Sequence, residues 1–246
     1  MFQIFAKKEY LVDHLSHYVD MHNHILPGID DGAKTAEDSI ALIKGFGEFG
    51  ISRFIATPHI MHNYYPNTRE TIEGALATLQ NELLKNDLKD VVIAAAAEHM
   101  IDDNFESILG KGQVMPMQKE YLLVEMSFLQ PPINFDKALI KIAENHYYPI
   151  LAHPERYVFL YQRQRKFQDY KERGMLFQLN LLSLGDYYGK QTTKMALKLL
   201  ENGLIDYVAS DVHNLHQLKT LKELSLPRKV LRQVLPLIRQ TIEVFY

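Results

Sequence analysis

The chain contains no cysteine. Disulfides, thiolate-bound structural zinc and a thiol nucleophile are all excluded. Any hydrolysis it performs must proceed without a phosphocysteine. The chain also lacks an apolar run near the roughly 18 residues needed to span a bilayer, so no membrane insertion is expected. There is no basic excess either. Lys and Arg number 27 against 30 Asp and Glu, a formal net charge of -3, which is a poor match to nucleic acid. Residues 1–15 carry Lys7, Lys8, Glu9 and Asp13, which argues against a signal peptide and makes a cytoplasmic location the default. No linker rich in Pro, Gly or Ser, no repeat and no low-complexity segment divides the chain. One domain is expected over 1–246, with 1–17 as an N-terminal extension and 227–246 as a C-terminal helix.

What is present is an alternation of short β-rich runs and amphipathic stretches. Strands are predicted at 18–22, 52–57, 91–97, 121–126, 149–153, 175–180 and 205–211. Helices are predicted at 35–49, 68–85, 135–145, 157–173, 192–201 and 227–245, the last with Pro236 as a kink site. Thr35 and Asp38 resemble a capping box, with Gly50 as a stop. Such alternation implies βαβ units and a parallel sheet. Nearly every strand delivers a His, Asp or Glu at its C-terminal end. In an open sheet the outer strands lie too far from one crevice for that, whereas in a barrel all such ends ring one mouth. The expected fold is α/β, an irregular (β/α) barrel of about seven strands.

The residues at those ends are suited to metal. Asp20-Met21-His22-Asn23-His24 and Ser210-Asp211-Val212-His213 place side chains at i and i+2 on one side of a strand. Thr57-Pro58-His59, Ala97-Glu98, Val124-Glu125 and Ala152-His153 lie between them. A lone His-x-His is a weak signal, and a buried Glu is often half of a salt bridge. Several such residues at converging strand ends are more economically read as one site, because an unpaired buried carboxylate is costly. Imidazole with carboxylate suits Mn, Fe or Zn. The loop Leu26-Pro27-Gly28-Ile29-Asp30-Asp31-Gly32 leaves the His-x-His strand directly. One of its aspartates can reach the metals, but spacing does not say which. His99 should face the other side of its strand from Glu98. His14 and His17 read as surface residues, and His62 lies close enough to His59 to line the mouth.

Together these stretches, with His153-Pro154-Glu155-Arg156-Tyr157 and Ser210-Asp211-Val212-His213-Asn214, resemble the PHP (polymerase and histidinol phosphatase) family. They resemble most its branch of bacterial tyrosine phosphatases of capsule and exopolysaccharide operons, the CpsB/YwqE proteins. The resemblance spans residues 20 to 214 and implies a distorted (β/α)7 PHP barrel holding three divalent ions, usually manganese. It implies that His22, His24, Glu98 and Asp211 hold the first ion. Glu98 bridges to a second completed by Glu125 and His153, and Asp31, His59 and His213 hold the third. It also implies that Arg156 binds the substrate phosphate. The implied substrate is a phosphotyrosine protein, a bacterial tyrosine kinase governing polysaccharide export; the alternative is a small phosphomonoester such as histidinol phosphate. One departure stands out. Family members commonly carry a second phosphate-binding arginine at the position of Leu218; Lys219 beside it could supply a charge to the substrate but lacks the bidentate fork.

Charge counting supports a phosphate substrate. Five neutral histidines and four carboxylates contribute about four negative charges, which three divalent cations overcompensate. The expected chemistry is in-line attack on phosphorus by a metal-activated hydroxide, with Arg156 stabilising equatorial oxygens. His62 and a metal-bound water are both candidate general acids. Tyr64, Tyr65, Tyr187 and Tyr188 are expected to border the mouth, where Tyr64 could contact the substrate. The apolar stripe Val230, Leu231, Val234, Leu237 and Ile238 is expected to pack on the barrel or on another subunit in a homo-oligomer.

Overall fold

The structure is a computed structural model and describes residues 8–246. The first seven residues of the expected N-terminal extension, which include part of the segment read against a signal peptide, lie outside the described residues. The strands are β1 Lys8–Tyr10, β2 Val19–Asp20, β3 Arg53–Ala56, β4 His59–Ile60, β5 Val92–Ala95, β6 Glu98–Met100, β7 Tyr121–Glu125, β8 Tyr148–Ala152, β9 Leu176–Asn180, β10 Tyr207–Ala209 and β11 Ser225–Pro227. The helices are α1 Ala36–Gly47, α2 Arg69–Lys85, α3 Phe105–Gly110, α4 Phe135–Glu144, α5 Arg165–Glu172, α6 Lys190–Glu201, α7 Leu215–Glu223 and α8 Arg228–Phe245. The box at the start of α1 forms as expected, with Asp38 N–H donating to Thr35 Oγ1 at 3.2 Å and Thr35 N–H to Asp38 Oδ2 at 3.1 Å.

Seven parallel staves close on themselves. One run of pairs joins β2, β3 and β5, and another joins β4, β6, β7, β8, β9 and β10. The second and third predicted strands each resume after a short break past their predicted ends, so β3 and β4 form one stave and β5 and β6 another. Pro58 has no N–H to give the ladder. Pairing resumes past the break, with Ala96 N–H donating to Ala56 O at 2.9 Å and Glu98 N–H to Pro58 O at 3.1 Å. The ring is closed by the continuation of β2. Asn23 bridges Val212 in parallel, Asp211 N–H donates to His22 O at 2.8 Å, and His24 N–H donates to Val212 O at 3.0 Å. The barrel expectation therefore holds, with all its staves parallel.

Strand alternation separates two cores. Val19, Ile55, Leu123, Ile150, Ala152, Tyr207 and Ala209 fill the inside with Phe245. Leu122, Val124, Leu151, Phe177, Leu179 and Val208 face the helices. Along β7 this alternation is what points Glu125 inward above Leu123. The stripe of α8 is spent on the protein's own barrel. Leu231, Val234 and Ile238 are buried, and Thr241 Oγ1 accepts from Val208 N–H at 3.3 Å. The helix continues through Pro236, which leaves the Arg232 carbonyl without its usual i+4 donor.

Three features differ from the sequence-based expectation. The predicted helix 157–173 is a 3-10 turn, Val158–Leu160, followed by the shorter α5, and a further 3-10 turn, Pro154–Arg156, precedes it. Tyr157 adopts ψ 88° because its fully buried ring turns inward, where its hydroxyl accepts from Met126 N–H at 3.0 Å. The short antiparallel pair β1–β11 was not anticipated, nor was α3. Three-residue strands are too short to show an alternation in sequence.

Candidate metal centre

The side chains expected at the strand ends meet at the C-terminal mouth. His22 Nε2 lies 3.2 Å from Glu98 Oε2 and 3.3 Å from Asp211 Oδ1. His24 Nε2 lies 3.3 Å from the same Asp211 oxygen and 3.5 Å from Glu98 Oε2. Beside this group, His59 Nδ1 is 2.9 Å from Glu125 Oε1 and 3.1 Å from Glu98 Oε2. His153 Nε2 is 3.0 Å from Glu98 Oε1. Asp31 Oδ1 faces His59 Nε2 at 3.4 Å and His213 Nε2 at 3.5 Å. Three overlapping groups could each hold an ion: His22, His24 and Asp211; His59, Glu98 and Glu125; and His24, Asp31, His59 and His213. Against the grouping implied by resemblance, His24 is shared between two groups and His59 faces two.

The donors fit cations better than they fit one another. Ligands about 2.1 Å from a common ion sit roughly 3–3.5 Å apart, the spacing of most donor pairs here. Buried atoms of the cluster are left without a hydrogen-bond partner: His59 Nδ1, Glu98 Oε2, Glu125 Oε1 and His153 Nδ1. Protons replace cations electrostatically. Burial alone would lower His24 and His59, but Asp30 beside the first, and Glu125 and Glu98 beside the second, hold both well above the usual histidine range. Burial alone would raise Glu98 and Asp211, yet the neighbouring imidazoles hold both well below the usual carboxylate range. Burial and then His24 push His213 down to about 4, leaving it a neutral donor near pH 7.

Outer partners aim these side chains. His22 Nδ1–H donates to Gln178 Oε1 at 2.8 Å, and His24 Nδ1–H to Asp30 Oδ2 at 2.7 Å. Each bond fixes the tautomer that presents Nε2 to the cluster. The geometry separates the two loop aspartates: Asp30 is buried behind His24 and caps Gly32 N–H at 2.8 Å, while Asp31 faces the cluster. Gly32 is required there, because a Cβ would stand 2.0 Å from His24 O. Asp20, the first residue of the His-x-His motif, is not among the facing donors. It accepts from Ser210 N–H at 2.9 Å and from Ser210 Oγ, tying the first stave to the last, and burial raises it to about 6. His153 and Asp211 adopt left-handed backbone, with φ of 35° and 51°. Each costs about 1–3 kcal/mol and turns its side chain over the mouth.

Arg156 lies at the rim of a cavity of about 230 Å³ lined by Asp31, His59, Glu98, Glu125, Phe128 and His153, with Tyr188, Asp211, His213, Asn214 and Gln217 opposite. Its Nη1 donates to Asp211 Oδ2 at 2.9 Å. Its guanidinium sits 4.3 Å from the Tyr188 ring centroid and 4.6 Å from that of Phe128. Asn180 Nδ2 also donates to Asp211 Oδ2, at 2.7 Å. Asn180 N–H donates in turn to buried Glu155 Oε1, at 3.1 Å. The His-Pro-Glu-Arg-Tyr run thus contributes a cluster histidine, a buried anchor, a rim arginine and a buried pillar.

Sequence reasoning missed Phe128, Asn180, Gln178, Asn214 and Gln217. Each is an ordinary residue type whose role depends on what folds opposite it. Other expected contacts are not brought to the cavity. His62 and Tyr64 are exposed and absent from its lining, and Tyr65 instead stacks on His59 at 5.5 Å. Lys219 is exposed and absent from the lining; two residues after the lining residue Gln217, it lies about 200° round α7 from it. Leu218 is core: a Cβ on Gly45 of α1 would meet its Cδ2 at 2.5 Å. His99 does face away from the cluster, its Nδ1–H donating to Leu123 O at 3.0 Å.

A parallel barrel with an oxygen- and nitrogen-rich cluster at its C-terminal mouth defines a class, the metal-centre barrels whose strand ends carry the chemistry. The profile of the CpsB/CapC family, described as capsular polysaccharide synthesis, matches residues 18–223. The chain belongs to that family. It is 32% identical over 197 residues to the tyrosine-protein phosphatase YwqE of Bacillus subtilis, spanning 80% of this chain and 77% of that protein. It is 30% identical over 213 residues to the putative tyrosine-protein phosphatase CapC of Staphylococcus aureus, spanning 86% and 84%. A crystal structure from work on YwqE of Bacillus subtilis and CpsB of Streptococcus pneumoniae, described as unique metal-dependent tyrosine phosphatases, superposes with a TM-score of 0.75. It has 29% identity and covers 90% of this chain and 94% of that one.

Proposed function

We propose that this protein is a metal-dependent protein-tyrosine phosphatase, a phosphoric monoester hydrolase. The observation that carries the reading is the convergence of nine imidazole and carboxylate side chains, seven of which line one cavity beside a guanidinium. The donors would hold three divalent ions, manganese by the resemblance, with His22, His24 and Asp211 at one, Glu98, Glu125 and His153 at another, and Asp31, His59 and His213 at the third. Bound ions supply Lewis acidity towards phosphoryl oxygens and lower the pKa of water towards 7. Arg156 binds the equatorial oxygens, held in plane by Phe128 and Tyr188. Glu98, with an oxygen facing His153 and the other facing His22 and His59, sets the spacing of the cluster. Asn180 holds the Asp211 carboxylate so that Arg156 is not its only partner. A departing phenolate, with a conjugate acid of pKa about 10, needs little protonation, which suits a cavity that His62 does not enter.

The physiological substrate is read as a phosphotyrosine protein, a tyrosine kinase of capsular polysaccharide synthesis, in the cytoplasm. Among the described residues no helix is long and apolar enough to cross a membrane. The test is turnover of a phosphotyrosyl peptide and of histidinol phosphate by protein loaded with Mn2+, Zn2+ or Fe2+, and by protein stripped with chelator. Metal-dependent turnover of the peptide, with little of the alkyl ester, is expected. Hydrolysis of histidinol phosphate alone would overturn the reading.

A further inference from the structure

The loop between β7 and α4 carries an apolar surface that the fold does not use. Within six residues, Phe128 is 45% exposed, Leu129 is 89% exposed and Ile133 is 102% exposed. Val158, next to Tyr157 in the chain, is 58% exposed, and the Tyr157 ring lies 5.7 Å from that of Phe128. Large side chains left in water so close together mark a contact surface. The loop is also anchored. Phe128 packs against His153 at 5.5 Å and under the Arg156 guanidinium. Ser127 Oγ accepts from Leu129 N–H at 3.3 Å, and Asn134 Nδ2 donates to Glu106 Oε1 at 3.0 Å. Pro131 and Pro132 restrict what lies between. A surface ordered in advance loses little entropy when a partner covers it.

We infer that residues 128–133 form an apolar docking lip for the residues flanking the phosphotyrosine of a protein substrate, an inference that rests on the phosphatase reading above. Phe128 belongs to both the lip and the cavity wall, so the lip is continuous with the place where the phosphate must sit. Leu129 follows directly on Phe128, the lip residue that lines the cavity and meets the Arg156 guanidinium. A second copy of this protein seated on the lip would cover the mouth and exclude substrate. The partner chemistry is therefore a large aliphatic or aromatic residue next to the phosphotyrosine.

The experiment uses metal-loaded protein, p-nitrophenyl phosphate, and two phosphotyrosyl peptides that differ only in flanking residues, Leu and Ile in one and Ser and Gly in the other. The wild type should show a KM at least about fivefold lower for the apolar peptide, the scale expected for partial burial of an aliphatic side chain. Leu129→Ser with Ile133→Ser should abolish that difference while leaving p-nitrophenyl phosphate kinetics unchanged. Equal KM values for the two peptides with the wild type would overturn the inference. So would a preference that survives in the double variant, including the case in which that variant loses a self-associated form on gel filtration. If the metal-loaded wild type turns over neither p-nitrophenyl phosphate nor either peptide, the phosphatase reading itself fails, a result distinct from loss of peptide preference.

Discussion

Replacing Arg156 by alanine tests the rim of the cavity most directly. The guanidinium now donates to Asp211 Oδ2 at 2.9 Å and is clamped between Phe128 and Tyr188. Its fork can offer a phosphate two charge-assisted hydrogen bonds, each worth about 1.5–3 kcal/mol. Part of that is already committed to Asp211, so the net loss should be about 3–4 kcal/mol, a hundred- to several-hundredfold fall in kcat/KM. Asp211 keeps Asn180 as a donor at 2.7 Å, so the ion-holding group should survive the change. Lysine at the same place should recover only part of the loss, because a point charge does not reproduce the fork and packs poorly between two rings. The assay is steady-state hydrolysis of p-nitrophenyl phosphate and a phosphotyrosyl peptide, with bound metal measured on each variant. A loss under about threefold with metal content intact would refute the role of the guanidinium.

Asp30→Asn should weaken metal binding about 10–100-fold, because Asp30 orients His24 without facing the cluster. Chelator competition would show this, and excess metal should restore most of the turnover. His99 is buried with Nδ1–H on Leu123 O and Nε2 accepting from Met115 N–H at 3.1 Å, and burial pushes it down to about 4. Its contribution to stability is therefore complete above the unfolded pKa near 6.5 and is lost as pH falls towards 4, up to about 3 kcal/mol. Urea denaturation between pH 7 and 4.5 should show a shallower decline for His99→Gln than for the wild type; parallel curves would count against it. Leu218→Arg should cost more than about 3 kcal/mol of folding stability and raise no activity, since the side chain faces Gly45 rather than the cavity. A stable, more active variant would show that the position can reach substrate after all.

By itself the sequence determined the parts that depend on local pattern. The alternation of short β-branched runs and amphipathic stretches was enough for seven parallel staves, and His22-x-His24 and Asp211-x-His213 announced themselves as pairs because strand geometry repeats every two residues. The Thr35–Asp38 box was equally legible, since its partners are three residues apart. Tertiary structure decided whatever depends on residues far apart in the chain. Asp30 and Asp31 are neighbours with the same side chain, and only the closure of the barrel turns one behind His24 and the other towards His59. Tyr157 breaks a helix that its sequence suits because a buried pocket under Met126 takes its ring. Asp20 reads like one more acidic residue of the metal motif, yet the last stave folds against it and gives it Ser210 as a partner. The apolar loop at the mouth was invisible for the same reason: Phe128, Leu129 and Ile133 look like core in one dimension, and only the packed barrel shows that the core is already full.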